Sequence, residues 1–390
     1  MTTLPLDGVR VLEFTHTVMG PTCGVVLADL GADVIRVEPA PDGDRTRRLQ
    51  GFAAGFFAYF NRNKRCICID LKTKDGAAVV RDLLRATDVL IENFAPGTMD
   101  RLGLGWDEMH RLNPRLIYCM LKGFLPGPYE HRPALDEVAQ FMTGLAYMTG
   151  PPGRPLRAGA SVIDIMGGVM GAVAILAALR QREQDGEGRK VISSLFESSA
   201  FLVAQHMAGE AASGEPSPPM PARSSAWGIY ETFETADESR LFIGITSDPH
   251  WRAFCDAFSK PDWFADPRFR TNADRVNNRD QLRALVADVA RTHSRDDLAG
   301  IFERGSIPFA PVNTPSDLFN DPQMLAHALA TRMPAGNIAE LPPLPIAIND
   351  ETLGLRLQPP AAGEHTDEIL AALGYSDDRI AALRTSGVIA

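Results

Sequence analysis

Along its first half the chain alternates short apolar runs with stretches of helical periodicity. Residues 9–14, 32–38, 66–71, 89–93 and 116–120 read as strands. Residues 21–30, opened by Gly20-Pro21, and then 76–86 and 106–112 place apolar side chains at helical spacing. Repeated strand–helix–strand units predict an α/β fold with a mostly parallel sheet covered by helices. Such sheets bind ligands beyond the carboxyl ends of their strands, which singles out residues 15–20, 38–41, 72–74, 94–97 and 122–128. The pattern changes after residue 207. Residues 208–223, with Gly214-Glu215-Pro216-Ser217-Pro218-Pro219-Met220-Pro221, read as a linker. A hairpin over 228–235 and 240–246 follows, then helices over 250–257, 279–292 and 294–304. The proline-rich stretch 341–345 leads to a last helix over 366–373. The expected organisation is a large unit of residues 1–207 with 325–390, a linker over 208–223 and a small unit over 224–324. No internal repeat is apparent.

One run stands apart. Val162 to Leu179 approaches membrane-spanning length, but it carries Asp164 and three glycines and has polar flanks. A span requires about 20 apolar residues without charge, so a buried core helix is expected. A carboxylate beside such a segment costs several kcal/mol if it stays charged, dry and unpaired. Asp164 is therefore either the N-cap of a helix starting near Ile165, worth ~1 kcal/mol, or a group held there to react. Local sequence alone favours the cap.

Composition narrows the field. Of 390 residues 45% are hydrophobic and 23% charged, ordinary for a globular chain, and the formal charge of −10 argues against nucleic acid as a partner. The opening Met1-Thr2-Thr3-Leu4-Pro5-Leu6-Asp7 lacks the basic and apolar parts of a secretory signal. Cys23, Cys66, Cys68, Cys119 and Cys255 are few and scattered. Cys66 and Cys68 share one face of a strand but do not form CxxC. Reduced thiols, a cytoplasmic setting, no membrane partner and no metal site are expected.

Glu38 falls where a ribose-binding acid of a dinucleotide fold would stand, yet the turn His16-Thr17-Val18-Met19-Gly20-Pro21 is not GxGxxG, which argues against NAD. His16 is a candidate base, with a structural hydrogen bond the favoured reading. Arg36, Lys64, Arg65, Lys72, Lys74, Arg101 and Lys122 gather near predicted strand ends. Each alone reads as solvated surface; together they are expected to hold several phosphates.

These residues carry a resemblance. Asn63-Lys64-Arg65 with Asp70-Leu71-Lys72, the run from Asp88 to Gly97, Asp164-Ile165-Met166-Gly167-Gly168 and Gly363-Glu364-His365-Thr366-Asp367 resemble the class III CoA-transferases. That family includes formyl-CoA transferases, carnitine CoA-transferases and α-methylacyl-CoA racemases, and the match runs in order over nearly the whole chain. It implies an interlocked homodimer with a Rossmann-like CoA-binding domain, which holds both chain ends, and a smaller α+β domain. Asp164 aligns with the family's nucleophile and Asp136 with a supporting acid. Val18, Met19, Ile69, Asp70, Leu71, Lys72, Asn93, Phe94, Ala95, Arg101 and Lys122 fall on CoA-contacting positions. Coenzyme A and its acyl esters are implied as substrates, with a small carboxylic acid as partner and no tightly bound cofactor.

The carrier chemistry suits an aspartate, which passes CoA through a mixed anhydride and an enzyme thioester. Backbone N–H groups near Gly167-Gly168 are expected to receive the developing oxyanion. The racemases are similar to one another in placing a histidine immediately before the second acid; here Leu135 stands there and cannot carry a proton, which favours transfer over racemisation. A non-catalytic CoA-ester-binding protein is the remaining alternative. The chain lacks the consecutive glycines of the formyl-CoA transferases' site loop, and its segment from Lys122 to Tyr129 also departs from their pattern. The expected acids are therefore small dicarboxylic ones of the succinate or mesaconate type, with Lys122, Arg157 and Arg223 as candidate partners of the distal carboxylate.

Overall fold

The computed structural model describes residues 4–223 and 225–390; Met1-Thr2-Thr3 of the expected leaderless start, and Ser224 at the expected start of the small unit, lie outside the described residues. Two compact units are present, Met1–Pro221 with Gln323–Ala390, and Ala222–Pro322.

In the larger unit β1 (Arg10–Phe14), β2 (Asp33–Glu38), β3 (Lys64–Cys68), β4 (Val89–Glu92), β5 (Ile117–Lys122) and β6 (Arg189–Ser194) form one sheet. Their order is β3-β2-β1-β4-β5-β6 and every neighbouring pair is parallel. This is the doubly wound arrangement, whose strand order reverses between β1 and β4 and leaves a crevice beyond their carboxyl ends. Alternation along the strands builds two cores. Val11, Val89, Ile91, Ile117 and Cys119 pack on one face with Ile163 and Ile175, while Leu12, Phe14, Leu90 and Tyr118 pack on the other with Ile369 and Leu370 of the C-terminal helices. The edge strand β3 is covered as well: the Cys66 N–H donates to His365 Nδ1 at 3.2 Å and the His365 N–H to the Cys66 carbonyl at 3.0 Å.

Three expectations are corrected here. β3 begins at Lys64 and stops at Cys68, not 66–71, because the chain turns at Asp70, whose side chain accepts the Lys72 N–H at 3.0 Å and whose carbonyl accepts the Thr73 hydroxyl at 2.8 Å. β6 was not foreseen; only Val191 and Ile192 in it are apolar aliphatics. The helix Leu195–Ser213 takes in residues 208–213 of the expected linker: the single Gly209 does not break it, and it ends only at Gly214, which takes the left-handed cap.

The smaller unit has its own antiparallel sheet, Ile229–Glu234, Arg240–Ile245 and Phe309–Pro311. Helices Asp248–Ala257, Arg279–Ala290 and Arg295–Arg304 close it around Trp251, Phe254, Phe269 and Phe302.

Candidate active site

The long helix spans Val162–Asp185, so Asp164 lies within its first turn. The residue before it, Ser161, makes no capping bond. The cap comes from another element. Asp136, first residue of the helix Asp136–Met142, accepts the N–H groups of Ile163 at 2.8 Å and Asp164 at 3.1 Å on its Oδ2. Val162 donates to the Ala160 carbonyl and Ile165 to that of Ser161. All four leading N–H groups of the helix are thereby satisfied. Asp164 is thus not the cap, which leaves its side chain without that structural duty. Gly167 and Gly168 lie inside the helix and offer no free donors, contrary to expectation. Their role is close packing: a Cβ on Gly168 would fall 2.5 Å from the Met19 carbonyl oxygen of the first helix, Met19–Asp29.

The Asp164 carboxyl makes no hydrogen bond or ion pair to another described residue. Burial, then the carboxylates of Asp136 and Glu137, push its pKa up to about 7, against the opposing pull of Arg157. It lines a cavity of about 720 Å³ beyond the ends of β1, β4 and β5, together with Asp136, Val18, Met19, Asn93, Phe94, Ala95 and Lys122. The N–H groups of Met19 and Gly20 open the first helix without an acceptor among the described residues, and Met19 lines the cavity, so this helix rather than the long one has free donors near the site.

The wall is braced by side chains. Asn93 accepts the His16 N–H at 3.0 Å and donates to the His16 carbonyl at 2.9 Å, tying β4 to the loop after β1. Lys122 donates to Glu92 at 2.8 Å and to the Phe94 carbonyl at 2.7 Å. The His16 ring stacks on Phe94 and its Nδ1 meets the Thr17 hydroxyl at 2.9 Å; burial lowers its pKa. Thr17 has φ of 66°, a left-handed conformation that costs a β-branched residue energy and that sequence patterns do not reveal. Leu135 reaches the same cavity with an exposed side chain.

Other expected contacts separate from this cavity. Leu71, Lys72 and Arg101 line a second one of about 600 Å³ with Lys74 and Arg81. Asp70 lines neither. Ile69 is fully buried and bridges Ile389, so it cannot touch a ligand. Arg36 and Lys64 are also fully buried, not phosphate-facing. Arg36 pairs with Glu13 at 2.8 Å, Glu38 at 3.0 Å and Asp44, and Lys64 with Glu13 at 2.9 Å. Gly24 makes room for them, since a Cβ there would lie 1.8 Å from Glu13 Oε2. Burial lowers the Lys64 pKa to about 8 against the raising effect of Glu13. Arg65 is held by Asp33 and Glu368, and Arg223 is exposed and belongs to the smaller unit. A third cavity of about 650 Å³, lined by Glu38, Pro39, Ala40, Asp44, Arg45 and Arg48, shares His16, Thr17 and Phe94 with the first. Ser161, Glu130, Arg132 and Leu195 of the main cavity were not foreseen.

The Cys66 and Cys68 thiols and a Glu38 oxygen lie within 4.8 Å of one another. Glu38 is already engaged by Arg36 and Arg47; burial would raise its pKa, but those guanidinium groups bring it to about 2. Two cations beside the carboxylate oppose a bound metal ion.

A parallel doubly wound sheet with an unpaired carboxyl over its crevice places the chain among α/β proteins that bind a ligand at the switch point of the sheet. Residues 6–366 match CoA-transferase family III, and the chain belongs to that family. It is similar to a succinate–glutarate CoA-transferase of Agrobacterium fabrum, 33% identical over 95% of this chain and 96% of that protein. It is nearly as similar to a formyl-CoA:oxalate CoA-transferase of Rhodopseudomonas palustris, 32% identical over 99% of this chain and 98% of the other. The crystal structure of a CaiB/BaiF family protein from Brucella suis superposes with a TM-score of 0.85, at 33% identity over 95% of this chain and 100% of that one. The chain is accordingly a family III CoA-transferase, an enzyme that moves CoA between acyl-CoA and carboxylic acids.

Proposed function

We propose that Asp164 is the covalent carrier of CoA and that the acids exchanged are small dicarboxylic ones. The observation that carries the carrier role is the half-buried Asp164 carboxyl, which lines the cavity without a hydrogen-bond or ion-pair partner among the described residues while Asp136 caps its helix. The Asp164 carboxylate attacks the thioester carbonyl of the donor; the C–S bond breaks, giving a mixed anhydride and CoA thiolate. The thiolate attacks the aspartyl carbonyl and expels the donor acid, leaving an aspartyl–CoA thioester. The acceptor carboxylate attacks that thioester, and the released thiolate then takes the acceptor's acyl group, regenerating the Asp164 carboxylate. Each step exchanges one anion for another, so no net proton is needed.

The free N–H of Met19, which lines the Asp164 cavity, is a donor available to the developing oxyanions. Asp136 acts by holding the first turn, and with it Asp164, in one orientation. The basic cavity of Lys72, Lys74, Arg81 and Arg101 suits the phosphates of CoA, and the joined cavities around His16 and Phe94 suit its pantetheine arm and acyl group. A second copy of the chain would cover the outward Ile165, Met170 and Val173 of the long helix. The dicarboxylic reading is supported by the likeness to the succinate–glutarate enzyme and by Arg157 in the cavity.

The test is isotopic. With acceptor acid carrying ¹⁸O in its carboxyl group, label should pass to Asp164 and, in later turnovers, to the donor acid released. Exchange that leaves Asp164 unlabelled refutes the carrier role.

A further inference from the structure

Three lysine or arginine side chains line the cavity that holds Asp164, and two are otherwise engaged. Lys122 is committed to Glu92 and the Phe94 carbonyl. Arg132 is exposed and lies over the Tyr129 ring at 4.8 Å. Arg157 differs. Its Nε donates to the Ala158 carbonyl at 3.0 Å and one Nη1 N–H to Glu137, while Nη2 stands 3.8 Å from Asp136, beyond hydrogen-bonding reach. Of its five N–H groups, two have acceptors among the described residues. Its root is fixed, because the Ala158 N–H donates at 2.8 Å to Gln140, itself buried and bonded to Asp136.

We propose that Arg157 is the seat for the free distal carboxylate of a dicarboxylic substrate, and that Glu137 occupies this seat until substrate displaces it. The inference rests on the CoA-transfer reading above and names what selects its acids. Glu137 is 45% exposed at its side chain, so it returns to water readily. The swap replaces one carboxylate by another and leaves the net charge on the guanidinium unchanged. A substrate carboxylate can also engage both Nη groups, where Glu137 engages one. An acid ending in methyl gains nothing from Arg157 and sets an apolar group against a polar edge.

The experiment separates seat from chemistry. In an Asp164→Asn chain, which binds esters without turnover, calorimetry compares succinyl-CoA with butyryl-CoA, alike but for carboxylate against methyl. Succinyl-CoA should bind roughly ten- to a hundredfold more tightly. Adding Arg157→Met should abolish that preference by weakening succinyl-CoA alone, and Arg157→Lys should keep part of it. Glu137→Gln should tighten succinyl-CoA several-fold and leave butyryl-CoA unchanged. No preference, equal weakening of both esters by Arg157→Met, or looser succinyl-CoA with Glu137→Gln overturns the proposal. The native chain is then assayed with succinyl-CoA and either glutarate or valerate. A succinyl-CoA preference without any CoA transfer would sink the transfer reading and leave the seat standing; transfer that treats the two acids alike would sink the seat.

Discussion

Replacing Asp164 by Asn removes a carboxyl whose pKa stands at about 7 in the fold, against 3.8 for an ordinary aspartate. Between those values the folded chain keeps a proton that the unfolded chain releases, so the wild type loses stability as pH rises through that window. Above pH 7 both states are ionised and the penalty is constant. With ~1.4 kcal/mol for each tenfold change, the penalty is about 2 kcal/mol at pH 5 and about 4 kcal/mol at pH 8. The asparagine carries none of it. Its stability relative to wild type should therefore grow by about 2–3 kcal/mol from pH 5 to pH 8, whatever fixed offset the amide adds. Titrating groups remote from Asp164 cancel in the difference. Urea unfolding of both chains at four pH values, read by a probe in the larger unit, measures this. A difference that is flat with pH, or that shrinks towards pH 8, would refute the claim that partial burial beside Asp136 and Glu137 disfavours the ionised carboxyl.

The same ionisation governs rate, so kcat/KM for an acyl-CoA donor should rise with pH through about 7. Asp136→Asn keeps its shape but weakens the bonds to Ile163 and Asp164; kcat should fall at least tenfold with a stability loss of about 1–2 kcal/mol, as stopped assays and urea unfolding would show. Arg101→Ala should raise KM for acyl-CoA roughly tenfold with kcat nearly intact, and an unchanged KM would remove the second cavity from the CoA site. Gly168→Ala drives a methyl into the Met19 carbonyl and should destabilise the chain by about 1–3 kcal/mol, visible as a lower urea midpoint.

Five of the six strands were legible because apolar residues dominate them between turn signals, as in Val89-Leu90-Ile91, even where Glu13 and Arg36 interrupt β1 and β2. The sixth escaped because Arg189-Lys190-Val191-Ile192-Ser193-Ser194 borders the sheet and needs little apolar surface. The glycines at 186 and 188 before it were the available signal. Local sequence could not settle the role of Asp164, since the true cap lies 28 residues away in Asp136. Charge type was a poor guide to exposure. Arg36 and Lys64 look like surface cations until Glu13, Glu38 and Asp44 converge on them from separate segments. Lys72 and Arg101 do share a cavity wall, whereas Ile69, adjacent to the same turn, is sealed in the core.

The central claim is that Asp164 itself carries CoA. Incubation of the enzyme with acyl-CoA and hydroxylamine, followed by peptide mass spectrometry, tests it most directly. The account predicts a hydroxamate on Asp164 that forms only when acyl-CoA is present, and loss of CoA exchange in step with it. Full exchange persisting in an Asp164→Ala chain, or an adduct on another residue with Asp164 unmodified, would contradict it.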